Sequence, residues 1–315
     1  MRYALMIEPQ QGLSYGDQLA IARRAEAAGF ETLFRSDHYD SFPGELGHPS
    51  TDAWTVLAGL ARETERIKLG VLVSPVTFRH PGTLAKIIVT VDEMSGGRVE
   101  FGLGAGWNEG EHEHHGLPFP PIEVRAEMLE EQLAILRGLW QEPDGWSFAG
   151  RHYSVPGSLF RPRPVQQPAP HVIVGGEGSP RSMRIAVRFA DEYNVIGSAP
   201  DRVADRFAKL DETARAAGRD PASLVHSAMV GTLVGRDPAE VERRSSALLA
   251  LFGQADAGAE WFDARRPRWI LGTPDEARAT VGRFAAVGVE RLVLQDFLPW
   301  DLEMIDLLGE VLVGA

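Results

Sequence analysis

Short apolar runs alternate with longer amphipathic stretches along this chain, with turn residues between them. Apolar runs of about four to eight residues bounded by turn signals read as buried strands, and an i, i+3, i+4 stripe reads as a helix with one buried face. Residues 3–7 form the first run, ended by Glu8-Pro9. Leu19, Ile21, Ala22 and Ala25 then mark a helix over 15–28, capped by Ser14 or Asp17 and stopped by Gly29. The pairing repeats as strand 30–35 with helix 52–63, strand 67–73 with a helix from 81 through Met94, and strand 99–103 with helix 123–140. It resumes with strands at 171–174, 192–196, 224–234 and 289–294, and with helices ending near 190 and spanning 201–217, 236–253, 274–288 and 302–313. Eight strands, each followed by a helix, predict a parallel sheet with crossover helices, closed as a single-domain (β/α)8 TIM barrel over residues 1–315.

Residues 141–170 break this rhythm, being rich in proline and carrying Trp146, Phe148, Tyr153 and Phe160. They read as an insertion after the fourth helix. A loop of this length without secondary structure serves either as a lid or as an irregular structural flap. Residues 254–258 read as a loose link.

Composition narrows the function. A net charge of −12 and a pI near 5.3 lack the basic footprint that nucleic acid or an anionic membrane requires. The absence of cysteine excludes disulfides, thiolate metal sites and cysteine nucleophiles. The apolar run at the N-terminus is too short for a signal peptide, and no later run approaches a membrane span, so a cytoplasmic protein is expected.

In such a barrel the residues just after each strand converge on one face, where catalysis sits. Here they are Glu8, Asp37-His38, Ser74, Asn108, Gly175 to Ser179, Asn194 and Gln295-Asp296. His38 is the candidate acid–base group, because imidazole titrates near neutrality. Gly175-Gly176-Glu177-Gly178-Ser179 opens a helix, so its bare N–H groups suit a phosphate, although an ordinary glycine-rich turn reads the same way. Gly102-x-Gly104-x-Gly106 lacks the third glycine and the apolar helix of a dinucleotide fingerprint. His112, His114 and His115 are too crowded on one segment for a closed tetrahedral metal site, so no metal is expected.

Four segments carry a resemblance: Ser36-Asp37-His38, GVLVSPVTFRHP at 70–81, GGRVEFGLGAGWNEGEHEHHGLPF at 96–119, and GGEGSPRSMRIAVRFADEYN at 175–194. Over nearly its whole length the chain resembles the bacterial luciferase-like superfamily, and within it the oxidoreductases dependent on the deazaflavin coenzyme F420. The resemblance implies that His38 contacts the deazaflavin as its catalytic acid–base group, with Asp37 beside it. It also implies a non-proline cis peptide between Val71 and Leu72, in a bulge that backs the ring. Ser74 and Asn108 would bond the polar edge of the ring, and Gly175, Gly176, Gly178 and Ser179 would bind the phosphate. His112 matches a position that lines the substrate pocket, and Glu8, placed on the same face by its position after the first strand, is expected to line it too. Ala105 stands where glucose-6-phosphate dehydrogenases of the branch carry a catalytic glutamate, which argues against a sugar-phosphate substrate.

The leading expectation is hydride transfer between F420 and a small organic molecule, with the 141–170 insertion closing over the substrate. The alternatives are an FMNH2-dependent monooxygenase with His112 and His38 lining its pocket, and a barrel that binds flavin without turnover. Homodimers are usual among relatives and symmetric dimers are the commonest oligomers, so a homodimer is expected.

Overall fold

A computed structural model describes residues 1–314. The elements in chain order are β1 (Arg2–Ile7), α1 (Tyr15–Ala27), β2 (Thr32–Arg35), α2 (Ala53–Glu63), β3 (Lys68–Pro75), α3 (Pro81–Ser95), β4 (Val99–Gly104), α4 (Glu109–His114) and α5 (Ile122–Gln141). There follow β5 (Trp146–Ala149), β6 (Ser154–Ser158), β7 (His171–Gly176), α6 (Pro180–Phe189), β8 (Glu192–Ile196), α7 (Pro200–Ala216), β9 (Val225–Val234), α8 (Pro238–Leu251) and α9 (Gly258–Asp263). The chain closes with β10 (Ile270–Gly272), α10 (Pro274–Ala286), β11 (Arg291–Asp296) and α11 (Leu302–Leu308).

The barrel runs β1-β2-β3-β4-β7-β8-β9-β11, and β11 pairs back onto β1, so eight parallel strands close the (β/α)8 barrel that the periodicity predicts. Local chemistry starts the helices where expected. Ser14 and Asp17 form a reciprocal capping box on α1, Asp52 caps α2, and Ser179 caps α6 with proline at its first position. Two apolar layers hold the fold. Ala4, Met6, Phe34, Leu72, Ile173, Met229 and Val293 fill the barrel interior, while a larger cluster packs the outward strand faces against the helices.

The N-terminal end of the barrel is plugged by charge. Arg291 donates to Glu192 at 2.6 Å and to Glu100 at 2.7 Å, and His171 bonds Glu192 at 3.0 Å. Burial would raise the Glu192 carboxyl, but the Arg291 charge, with His171, pulls it down to about 2.

Several expectations need correction. The insertion is not structureless: β5 and β6 pair as an antiparallel hairpin. Nor does it cover the barrel mouth as a lid, because its contacts run to the helical exterior and the base of β4. A Cβ at Gly138 on α5 would collide with the Trp146 ring, and Glu131 accepts the backbone N–H groups of Arg151, His152 and Tyr153. Gln166 bonds Asp92 of α3 and the Val99 carbonyl at the start of β4. Residues 109–114, between the expected strand 99–103 and helix 123–140, form a further helix, α4, which Asn108 caps. The link after α8 leads into α9, and β10 pairs in parallel beside the end of β9. Their short lengths carry too few periodic positions for sequence to mark them.

Candidate active site

β2 delivers Ser36, Asp37 and His38 to the C-terminal end of the barrel, and strand alternation sends Asp37 and His38 in different directions. His38 meets α4. Its Nδ1 lies 2.9 and 3.1 Å from the two carboxylate oxygens of Glu111, which also accepts the Tyr39 N–H at 3.1 Å. A carboxylate accepts only, so Nδ1 carries the proton and Nε2 is left as the free ring nitrogen. Glu111 is buried and the His38 side chain is 16% exposed, so the imidazole is held from inside and open on one side. Phe42 and Trp107 flank the ring edge-on. Glu111 was not among the residues that the sequence singled out. The signal for its position was Asn108 three residues earlier, an N-cap that fixes where the first turn of α4 points.

Asp37 turns into a closed network. It accepts Arg79 at 2.5 and 3.2 Å and the Ser74 hydroxyl at 2.8 Å, while Trp54 Nε1 donates to Ser74 Oγ at 3.0 Å. Arg79 also pairs with Asp52, and although burial opposes it, that charge helps hold the Asp52 carboxyl at about 2. Asp37 and Ser74 are buried, and the Ser74 hydroxyl is saturated as both donor and acceptor. Both residues therefore back the mouth through this network, rather than presenting free polar groups to a ligand.

His112 was expected to line the pocket, and the structure corrects this. It is fully buried between Phe78 and Phe119. Its Nδ1 donates to the Asn108 carbonyl at 2.6 Å, and its Nε2 accepts the Thr77 hydroxyl at 2.6 Å. With both nitrogens paired, it ties α4 to the loop after β3. Asn108 is half-buried beside it, with its side-chain oxygen on the Glu111 N–H at 3.4 Å. Glu8 stands at the end of β1, where Gln295 donates to it at 2.6 Å and Gln10 at 2.9 Å. Asp296 alternates away from Gln295, and burial pushes its carboxyl up to about 7.

The floor of the mouth is glycine backbone packed against Val73. A Cβ at Gly102 or Gly104 would fall 2.8 or 2.6 Å from Val73 methyls, so β4 and β3 approach as only glycine allows. The pairing of β3 with β4 slips between Val71 and Ser74, giving the expected bulge. Its non-proline cis peptide is Leu72–Val73, one residue later than the expected Val71–Leu72. Val71 is buried in the wall, while Val73 is half-buried and lies within 3.7 Å of where a Gly175 Cβ would be.

Beyond Gly175 and Gly176 the chain turns into α6. Gly178 has φ +91° and its N–H donates to the Tyr193 hydroxyl at 3.1 Å, while Ser179 caps the helix. Arg206 of α7 lies against Gly178 and bonds Ser198. The N–H groups of this turn that Tyr193 and the Ser179 cap do not take, together with the start of α6 and an arginine, fit a phosphate. A floor of glycine backbone and Val73 methyls next to a bulge fits a planar ring. The donor set therefore suits a phosphate-bearing flavin-like cofactor. Among the described residues no group of His, Asp and Glu could hold a metal ion, and no helix is long and apolar enough to cross a membrane.

The family model described as luciferase-like monooxygenase matches residues 1–298. An F420-dependent glucose-6-phosphate dehydrogenase of Microbacterium testaceum (strain StLB037) is 30% identical over 86% of this chain and 84% of its own. An FMNH2-dependent dimethylsulfone monooxygenase of Pseudomonas putida is 28% identical over 75% of this chain and 62% of its own. Among solved structures, an F420-dependent secondary alcohol dehydrogenase in complex with an F420–acetone adduct superposes with a TM-score of 0.83, at 22% identity over 99% of this chain and 98% of its own. The match spans every strand of the barrel, including the ends that carry His38, the bulge and the glycine turn, and on it the chain belongs to the luciferase-like monooxygenase family of enzymes.

Proposed function

We propose that this enzyme is an oxidoreductase that moves a hydride between coenzyme F420 and a small organic molecule. The observation that carries the reading is the His38–Glu111 pair beside the glycine floor of β4 and β7. The F420-dependent relative from Microbacterium supports the choice of coenzyme. When bound, a deazaflavin supplies the site that gives or takes the hydride. Gly176, Gly178, Ser179 and the start of α6 hold its phosphate, with Arg206 alongside. Val73 and Gly104 support its ring, and Asn108 is within the same rim to bond the polar edge. His38 holds or releases the accompanying proton at Nε2. Glu111 fixes the tautomer that makes Nε2 available and offsets the charge of the ring when it is protonated. Glu8 lines the substrate side with its carboxylate steadied by Gln10 and Gln295.

The second reading is an FMNH2-dependent monooxygenase, supported by the Pseudomonas relative. The phosphate turn serves either cofactor. A third is a barrel that binds flavin as a store. Parallel fluorescence titrations of the purified apoprotein with F420 and with FMN separate them. Saturable binding of F420 without FMN is the expected result, and preference for FMN would transfer the argument to the monooxygenase. Binding of neither would overturn both. Tight binding with no redox partner in a broad screen would favour the store. The proposal includes a single-domain, cytoplasmic homodimer, which sedimentation of the purified protein tests for mass.

A further inference from the structure

Around His38 the exposed surface is aromatic and apolar instead of cationic. The rings of His38, Phe42 and Trp107 pack edge-to-face, with centroids 4.4 Å apart for His38–Phe42, 5.7 Å for His38–Trp107 and 5.0 Å for Phe42–Trp107. This geometry holds the three rings against one another, each edge-to-face contact covering one ring face, and leaves the indole of Trp107 largely open. Trp107 is 65% exposed, although indole is among the most apolar surfaces a protein can leave in water. It has company: Leu46 after β2, Ile196 at the end of β8 and Trp300 after β11 are also exposed, each on the C-terminal side of the barrel. Scattered exposed apolar residues mean little, whereas several on the loops of one face mark a recognition surface.

Charge points the same way. Two cations on the loops of this face are already committed, Arg79 to Asp37 and Asp52, and Arg125 to the carbonyls of Ala105 and Pro120. All three lysines of the chain lie elsewhere: Lys68 at the N-terminal end of β3, Lys86 within α3 and Lys209 within α7. Glu109 and Glu113 are exposed on α4, making the rim acidic. An anionic substrate would meet repulsion here and find no free partner.

We infer that His38, Phe42 and Trp107 form the wall of a substrate site for a neutral organic molecule with a planar aromatic group, Trp107 being the specificity-determining residue. The substrate class rests on the F420 reading for its chemistry, but the recognition surface does not depend on the cofactor. An aryl group against Trp107 and Phe42 brings a carbonyl or hydroxyl one bond from the ring towards the open nitrogen of His38. A sugar phosphate gains none of this.

The test titrates acetophenone, a neutral aryl ketone, and glucose 6-phosphate by calorimetry into the wild-type enzyme with and without F420, and into Trp107→Ala and Trp107→Phe. F420 affinity is measured separately by coenzyme fluorescence. Acetophenone is expected to bind the wild type and glucose 6-phosphate is not. Trp107→Ala should weaken acetophenone about 5- to 10-fold and Trp107→Phe should restore most of it, with F420 affinity unchanged. The inference is overturned if acetophenone fails to bind the wild type, if glucose 6-phosphate binds in its place, or if Trp107→Ala leaves the aryl affinity intact. It also falls if Trp107→Ala converts a dimer to a monomer in sedimentation, because a second copy would then cover the ring. Trp107-dependent acetophenone binding in a protein that does not bind F420 would uphold the inference and remove the coenzyme reading instead.

Discussion

Replacing Arg291 by methionine tests whether the charged plug at the N-terminal end holds the barrel closed. Arg291 is fully buried and joins β11 to β8 and β4 through Glu192 at 2.6 Å and Glu100 at 2.7 Å. Methionine keeps the length of the side chain but removes the cation that both buried carboxylates share, leaving Glu192 with His171 and Glu100 with Lys68, a loss that costs roughly 3–5 kcal/mol. At about 2 °C per kcal/mol for a chain of this size, the midpoint of thermal unfolding should fall by roughly 6–10 °C near neutral pH. The pH dependence gives a sharper signature. In the wild type the Glu192 carboxyl is lowered from 4.5 to about 2, so its contribution is present above pH 4.5 and is lost as pH falls through 2. That shift corresponds to roughly 3 kcal/mol. Without Arg291, only His171 and Ser227 still oppose burial at Glu192, so its carboxyl lies higher than in the wild type and takes up a proton earlier as the pH falls. The variant should therefore recover relative to wild type as the pH is lowered from about 7.5 to about 5. The assay is thermal unfolding followed by far-ultraviolet circular dichroism at both pH values. A midpoint within about 2 °C of wild type at neutral pH, or a penalty equal at the two pH values, would refute the account.

Three further outcomes test the mouth of the barrel. His38→Ala should lower kcat roughly 100- to 10,000-fold in a deazaflavin assay while the coenzyme still binds, and retained turnover would remove its acid–base role. Glu111→Gln should lower kcat by roughly 10- to 100-fold with little change in F420 affinity or KM, and Glu111→Asp should partly rescue it, as expected of a positioning residue. Gly178→Ala places a Cβ at φ +91° and 2.9 Å from the Arg206 side chain. It should weaken coenzyme binding by about 10-fold, measured by fluorescence titration, because the turn must shift at a cost of about 1–2 kcal/mol.

The barrel itself was legible in sequence because each strand and helix declares its period locally. The run YALMI and the stripe through Leu19, Ile21, Ala22 and Ala25 need no distant partner to be recognised. The glycine turn before α6 was legible for the same reason, since Ser179 and Pro180 announce a helix start. Short elements failed this test. Hairpin β5–β6 is stabilised by its seat on α5, through Gly138 and Glu131, and not by any pattern of its own.

Side-chain partnership was beyond the reach of periodicity. Three histidines in the segment 112–115 look equivalent in sequence, yet His112 is buried with both nitrogens bonded, while His114 and His115 lie on the surface against Asp40. Glu111 became the partner of His38 only because the capped turn of α4 carries it across 73 positions of sequence. Arg291 meets Glu100 across 191 positions and Glu192 across 99, joining three strands that the amino-acid order keeps apart. Sequence by itself determined the repeating strand–helix unit and the residues that stand at the strand ends, because backbone periodicity and capping act within one or two turns. Only the closed barrel decided which of those residues are spent on each other and which stay open to a ligand, because burial and hydrogen-bond satisfaction are set by neighbours that the chain brings together only on folding.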